Sequence, residues 1–241
     1  TPVHTFTAGF QGQSTFDERE IARAASRYYG TEHQEIEITE RDLLEHLPTI
    51  SAFLDEPVAD ATVIPIYYLS KLARSAGVPV ILNGDGGDEL FCGYRKYMQF
   101  LRLAPYWRRL QSLPGWSRSL IARTGNRIGV SDTVSDLLQR AASDVEMYVG
   151  STGPLKGTSE FRQIIDPAAG GNLYAAVQRG RTEFNAERRT NDYAEWLSWW
   201  GVRSEVEHIF LYRADRMGMA NSVEIRVPFL DHRLVEFAQQ M

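Results

Sequence analysis

Among 241 residues there is a single cysteine, Cys92, so no intramolecular disulfide can form and a reducing, cytoplasmic setting is the expectation. No apolar run approaches the roughly 18–20 residues that a membrane span requires. The opening TPVHTFTAGF has neither a charged n-region nor the apolar core of a signal peptide, and a soluble chain is expected. Excess positive charge is missing too. With 26 Lys and Arg against 31 Asp and Glu the net charge is -5, which argues against a general nucleic-acid partner and leaves room for small anionic ligands at local sites. An initiator methionine is absent as well, and Thr1 leads almost directly into an extended apolar segment, so we expect further sequence upstream. Repeats and low-complexity tracts do not occur. What remains, 43% hydrophobic and 24% charged, suits one large or two modest folded domains.

Hydrophobic periodicity divides the first hundred residues into alternating strands and helices. His4 to Phe10 reads as a strand, Asp17 to Tyr29 as a helix stopped by Gly30, and HQEIEIT as a second strand. Thr39 is placed to cap a helix whose apolar face is Leu43, Leu44, Leu47 and Ile50. After the loop DEPVADAT, a third helix is predicted from Ile64 to Ala76, ended by Gly77, and VPVIL then reads as a strand covered on both faces. This alternation predicts a parallel, doubly wound α/β sheet, in which ligands bind beyond the carboxyl ends of the strands. We assign 1–100 to this α/β core and 101–241 to a mostly helical elaboration of the same domain.

Eight basic residues and no acidic one lie between Arg95 and Ser131, interrupted by Pro105 and Pro114. A solvated basic surface and a docking face for an acidic substrate or partner both fit. Toward the end of the chain, Asn191 or Asp192 is placed to cap a helix bearing Trp196, Trp199 and Trp200, whose spacing marks them as core. A further helix carries Val206, Ile209, Phe210 and Arg213. Pro228 then ends an extended piece, and Asp231 precedes a last short helix.

The densest chemistry lies in LNGDGGDELFCGY, Leu82 to Tyr94. Glycines at Gly84, Gly86 and Gly87 let the backbone turn tightly and approach another molecule closely. Backbone N–H groups exposed in such a turn at a helix start attract anions, and Asp85 and Asp88 are hard oxygen ligands of the kind Mg²⁺ takes together with substrate phosphates. An EF-hand is excluded, because the twelfth position counted from Asp85 is Lys96 rather than glutamate. A purely structural Asp/Gly turn is the competing reading.

Four blocks in order, FDEREIARAASRYYGTEHQEIEIT, LDEPVADATVIPIYYLSKLA, LNGDGGDELFCGY and DRMGMANSVEIRVPFLDHRLVEF, resemble the synthetase domain of the asparagine synthetase family across nearly the whole chain. The resemblance implies a doubly wound fold of the adenine nucleotide alpha hydrolase kind. It also implies a reaction: a carboxylate attacks ATP, an acyl-adenylate and Mg-pyrophosphate form, and ammonia from glutamine displaces AMP. By motif position, Asn83 and Gly84, with Gly86 and Gly87 beside them, would bind ATP, and Ala8 would line the adenine pocket. Asp85 matches an acidic residue tied to the adenylate, Asp88 the position that holds Mg-pyrophosphate, and Arg216 a cation on the phosphates that is sometimes lysine. Glu224 and Arg226 fall in the last block, where a buried structural ion pair is an equal alternative.

The family's phosphate-binding loop, Ser-Gly-Gly-x-Asp-Ser, is absent here, and so is its N-terminal glutaminase domain. We therefore expect a first strand and a glutaminase domain upstream, and an isolated 241-residue piece unable to form the adenylate. Thr1 as an N-terminal nucleophile is disfavoured by Pro2 and the strand that follows immediately. The resemblance implies a small carboxylate as acceptor and leaves aspartate and a sugar acid both open, because the segment DEPVADATVIPIYY lacks an arginine found in some aspartate-specific members. A homodimer stays open, as does a non-catalytic nucleotide-binding module that scaffolds a partner through the basic segment.

Overall fold

The fold is taken from a computed structural model that describes residues 2–12, 17–56, 58, 60–148, 175–188, 190 and 192–240. The expectations placed on Thr1 and on Asn191 lie outside the described residues. The chain divides into two compact units, Thr1–Gly86 with Ser204–His232, and Gly87–Arg203 with Arg233–Met241.

In the first unit, β1 (His4–Phe10) pairs in parallel with β2 (Glu32–Ile38) through α1 (Arg19–Tyr29), a helix closed by Gly30 at φ 66°. Thr39 caps α2 (Glu40–Ala52) as expected: Asp42 N–H donates to its hydroxyl, and the Asp42 carboxylate accepts from the Thr39 N–H. The predicted apolar face of α2 is only partly used, with Ile50 buried but Leu44 and Leu47 exposed. Next come α3 (Val63–Ser75) and β3 (Val80–Leu82), which pairs in parallel with β4 (Glu224–Arg226) from near the end of the chain. Ile38, Ile50, Val63, Tyr67, Tyr68 and Met217 form the core here.

Two corrections concern the sheet. The expected doubly wound sheet is, among the described residues, two separate two-stranded parallel sheets, β1–β2 and β3–β4. The strand expected to be covered on both faces is instead open, with Leu82 72% exposed. Backbone parity tells which groups lie on the outer edges. The Val3 carbonyl accepts from Glu32 N–H at 2.9 Å, so the odd residues of β1 face β2 while His4 and Phe6 turn their backbone groups away. Likewise the Pro79 carbonyl accepts from Glu224 and Asn83 N–H donates to Arg226, both at 2.8 Å, so Val80 and Leu82 turn away from β4. Both outer edges line one cavity of about 550 Å³, to which α3 contributes Ile66 and Leu69.

The second unit is helical. It contains α4 (Gly87–Phe91), α5 (Arg95–Gln111), α6 (Gly115–Ile128), α7 (Asp132–Ala142), α8 (Ala175–Glu187), α9 (Tyr193–Gly201) and the end helix α11 (His232–Ala238). Trp196 is fully buried, stacks on Trp199 and Trp200 at centroid distances of 6.0 and 5.5 Å, and donates its indole N–H to the Met147 carbonyl at 2.8 Å. The tryptophans are core, as their spacing predicted. Pro105 does not interrupt the basic segment but sits inside α5, whereas Pro114 does separate α5 from α6. Seven of the eight basic side chains are exposed. Arg118 is buried, donating to Gln111 Oε1 and to the Ala141 carbonyl at 2.7 Å.

From Val202 to Phe210 the backbone is π-helical, and α10 (Leu211–Met219) then returns in the first unit to pack on α3. Pro228 opens a single 3₁₀ turn after the extended piece, as its position predicted.

Candidate active site

β3 ends at Leu82 and delivers Asn83 to Gly86 beyond its carboxyl end, where the sequence placed them. The turn is knitted by short bonds: Gly84 N–H donates to Asn83 Oδ1, and Asn83 Nδ2 donates to Asp85 Oδ2, each at 2.7 Å. Gly86 has φ 93°, and a Cβ there would run into the Leu230 side chain, so both conformation and space require glycine.

Asp85 is the centre of a charged cluster. Its Oδ1 accepts from Arg213 Nη2 at 3.2 Å, and Arg213 Nη1 bonds to the Asp60 carboxylate and to the Thr62 hydroxyl. Arg213 is buried, and its guanidinium lies 4.0 Å from the Phe210 ring centroid. One cation thus stands between two carboxylates, and their environments split them. Burial pushes the Asp85 carboxyl up; Arg213 pulls it back, the Asp60 charge pushes it further, and the net direction is above the ordinary aspartate value. Burial acts on Asp60 in the same sense but loses to hydrogen bonds from the Thr62 backbone and hydroxyl and to Arg213, which leave Asp60 below the usual range. Two neighbouring carboxyls pushed apart in this way are the arrangement expected where one acts as a fixed counter-ion and the other meets the reacting groups.

The remaining sequence-chosen residues are dispersed. Asn83 and Gly84 line the 550 Å³ cavity together with Val3 and with His4 to Phe6 of β1. Ala8 does not line it, packing instead against the core around Ile38 and Val63. Arg216, one turn beyond Arg213 on α10, pairs with Asp55, and its guanidinium lies 5.6 Å from the ring centroid of Tyr212. The Tyr212 hydroxyl in turn accepts from Asp55 N–H at 2.7 Å. Gly87 and Asp88 open α4 in the second unit, with the Asp88 carboxylate lying against Gly93 and the Asp88 carbonyl accepting from Gly93 N–H at 2.9 Å. Glu224 and Arg226 do pair, at 2.8 Å, but on the surface at 56% and 61% exposure; the buried ion pair expected of them is not what forms. Cys92 is half-buried, and burial first and the Asp192 charge second push its thiol up, which keeps it protonated.

The donor set fits an anionic group better than a caged metal. Arg213 Nε and Arg216 Nε are buried with no hydrogen-bond partner among the described residues, as suits a site completed by anionic oxygens. No group of three or more His, Cys, Asp or Glu able to hold a metal occurs among the described residues.

Sequence reasoning missed Arg213, Asp60 and Thr62 as site residues. The signal was present: Arg213 falls on the apolar face traced by Val206, Ile209 and Phe210, and a charge at a core-facing position needs a partner.

Comparison with known proteins places the chain in a family. The asparagine synthase family profile matches residues 1–241. A Mycobacterium tuberculosis protein provisionally named asparagine synthetase (glutamine-hydrolysing) is 30% identical over 247 residues, covering 98% of this chain and 35% of that protein. Asparagine synthetase (glutamine-hydrolysing) 1 of Bacillus subtilis is 29% identical over 245 residues, covering 99% and 36%. A Penicillium rubens protein named amidase chyE is 27% identical over 250 residues, covering 98% and 36%. The chain therefore spans about a third of the length of these relatives. On the match of its whole length and the order of its motifs, the chain belongs to the asparagine synthase family.

Proposed function

We propose that this chain is the synthetase part of an ATP-dependent amide-forming enzyme. A carboxylate oxygen attacks the α-phosphorus of ATP, the bond to the β-phosphate oxygen breaks, and pyrophosphate leaves; ammonia then attacks the acyl carbon and AMP leaves. The chemical need is a leaving group, because hydroxide departs poorly from a carboxylate and AMP departs readily. Mg²⁺, bound by Asp88 and the phosphates, would neutralise charge on the departing pyrophosphate. The single observation that supports the reading best is the glycine turn past β3, which sets a half-buried, raised carboxyl, Asp85, beside Arg213 and Asp60.

The roles of Asn83, Gly84, Gly86 and Gly87 on the nucleotide, of Ala8 on the adenine and of Arg216 on the phosphates are part of this proposal. Arg216 must exchange Asp55 for phosphate oxygens to play its part, and its unpartnered Nε is consistent with that exchange. The acceptor is aspartate, as the names of two relatives suggest, with a sugar acid as the alternative; the ammonia comes from a glutaminase domain elsewhere in the full-length protein.

We further read the slot between the outer edges of β1 and β3 as the seat of a parallel strand from outside these 241 residues. Two parallel edges with outward backbone groups around a common cavity support that reading.

The test supplies the full-length protein with ATP, glutamine and aspartate and identifies the nucleotide product. The proposal predicts one AMP per amide formed; ADP would point to an acyl phosphate and refute the adenylate. The 241-residue piece alone should show no ATP–pyrophosphate exchange, and robust exchange would overturn its dependence on the rest of the chain.

A further inference from the structure

We infer that Arg213 is the positioning residue of this site: it holds the Asp85 carboxylate in place and ties it to the loop at Asp60 and Thr62. The inference rests on the proposed role of Asp85 and concerns what makes that carboxylate usable.

Arg213 is the one side chain among the described residues bonded to both Asp60 and Asp85, which stand 25 positions apart in the sequence on different segments. Its terminal nitrogens divide the work. Nη1 is committed to the Asp60 carboxylate and the Thr62 hydroxyl, and Nη2 reaches Asp85 at 3.2 Å. On the Asp60 side the grip is shorter and is reinforced, because the Thr62 N–H and hydroxyl also donate to Asp60 Oδ1, at 3.0 and 2.7 Å. The guanidinium is therefore anchored on the loop and presents Nη2 to the turn. Its face covers Phe210, so it cannot rotate without losing both the ring contact and the planar two-carboxylate geometry.

On the far side of Asp85, Asn83 Nδ2 holds the other carboxylate oxygen at 2.7 Å. Asp85 is thus gripped at both oxygens by side chains that are themselves fixed. A carboxylate confined in this way presents one orientation to a substrate, and misplacement of a reacting group by about 1 Å costs on the order of a hundredfold in rate. The charge alone does not account for the arrangement, since Asp60 and its Thr62 bonds would be unnecessary to neutralise a single carboxylate. An ammonium at 213 would keep the charge but could not span both partners in one plane.

The experiment is a double-mutant cycle in the full-length protein, with aspartate-dependent ATP–pyrophosphate exchange as readout. Arg213→Met should lower kcat about a hundredfold while KM for ATP stays within about twofold. Arg213→Lys should recover part of that loss. In an Asp85→Asn background, Arg213→Met should cost less than about threefold further, because the group it positions is gone. Should Arg213→Met fail to fold, Asp60→Asn, which keeps a neutral acceptor on Nη1, serves in the same cycle and should lower kcat about tenfold with the same lack of additivity. Equal losses in both backgrounds, or a loss carried by KM with kcat unchanged, would overturn the inference. Exchange at wild-type rate in Arg213→Met would overturn it too while leaving the proposed function standing. Absence of aspartate- or sugar-acid-dependent exchange in the wild type would remove the proposed function and this inference together.

Discussion

At the scale of single residues, the site is a question of where charge is placed. Asp85 is held above the ordinary aspartate value because partial burial desolvates it, and Arg213 only partly offsets that cost. A carboxyl whose pKa is raised on folding stabilises the native state in its protonated form. That contribution is complete below the unfolded value of 3.8 and is lost as pH rises through the raised native value. Asp85→Asn removes the ionisation and leaves Arg213 paired with Asp60. The variant should melt above the wild type at pH 7, and the gap should close as the pH approaches 4, measured by calorimetry across that range. Stability gained on removing Asp85 is the trade expected of the reacting role proposed for it.

Asp85 was legible in the sequence because glycine turns bearing acids are compact local signals. Asp60 and Arg213 were not singled out, since their meaning depends on a contact across 153 positions that no local pattern reports. The partial clue, a guanidinium on an apolar helical face, marks a buried charge but cannot name its partner.

At the scale of elements, the turn works because strand, glycines and helix succeed one another without spare residues. Gly86 is the most constrained of them, with a left-handed backbone and the Leu230 side chain filling the space where a Cβ would lie. Gly86→Ala should destabilise the first unit by about 1–3 kcal/mol and shift Asp85 relative to Arg213. Exchange activity should therefore fall more than the melting midpoint alone would explain, and activity measured well below that midpoint separates the two effects.

Helix and strand boundaries followed the sequence closely where caps are local. Thr39 with Asp42 and the glycine stop at Gly30 fixed the ends of their helices. Expectations failed where burial depends on neighbours outside the segment. VPVIL reads as a strand covered on both faces, yet β3 has one partner, and Leu44 and Leu47 carry a core pattern onto an exposed face.

At the scale of the molecule, the first unit presents sheet edges that nothing in these 241 residues pairs among those described. A strand edge with outward N–H and C=O groups is costly to leave open and prone to non-native pairing. If a strand from the remainder of the protein occupies the slot, the backbone amides of Phe6, Val80 and Leu82 should exchange with solvent freely in the 241-residue piece. In the full-length protein they should be protected at least about a hundredfold, as read by hydrogen–deuterium exchange. Equal protection in both would show that the slot is not a strand site. The second unit has a core of its own, in which Trp196, Trp199, Phe184 and Tyr97 pack together. Its exposed arginines give the basic segment a solvated surface, apart from Arg118, which is tied to Gln111 and Ala141.

All of this turns on whether the carboxylate at the end of β3 takes part in activating an acceptor with ATP. ATP–pyrophosphate exchange by the full-length protein, wild type against Asp85→Asn, asks that question most directly. The account predicts acceptor-dependent exchange in the wild type and a loss of at least about a hundredfold in the variant with its fold intact. Exchange at equal rates in the two proteins would contradict it.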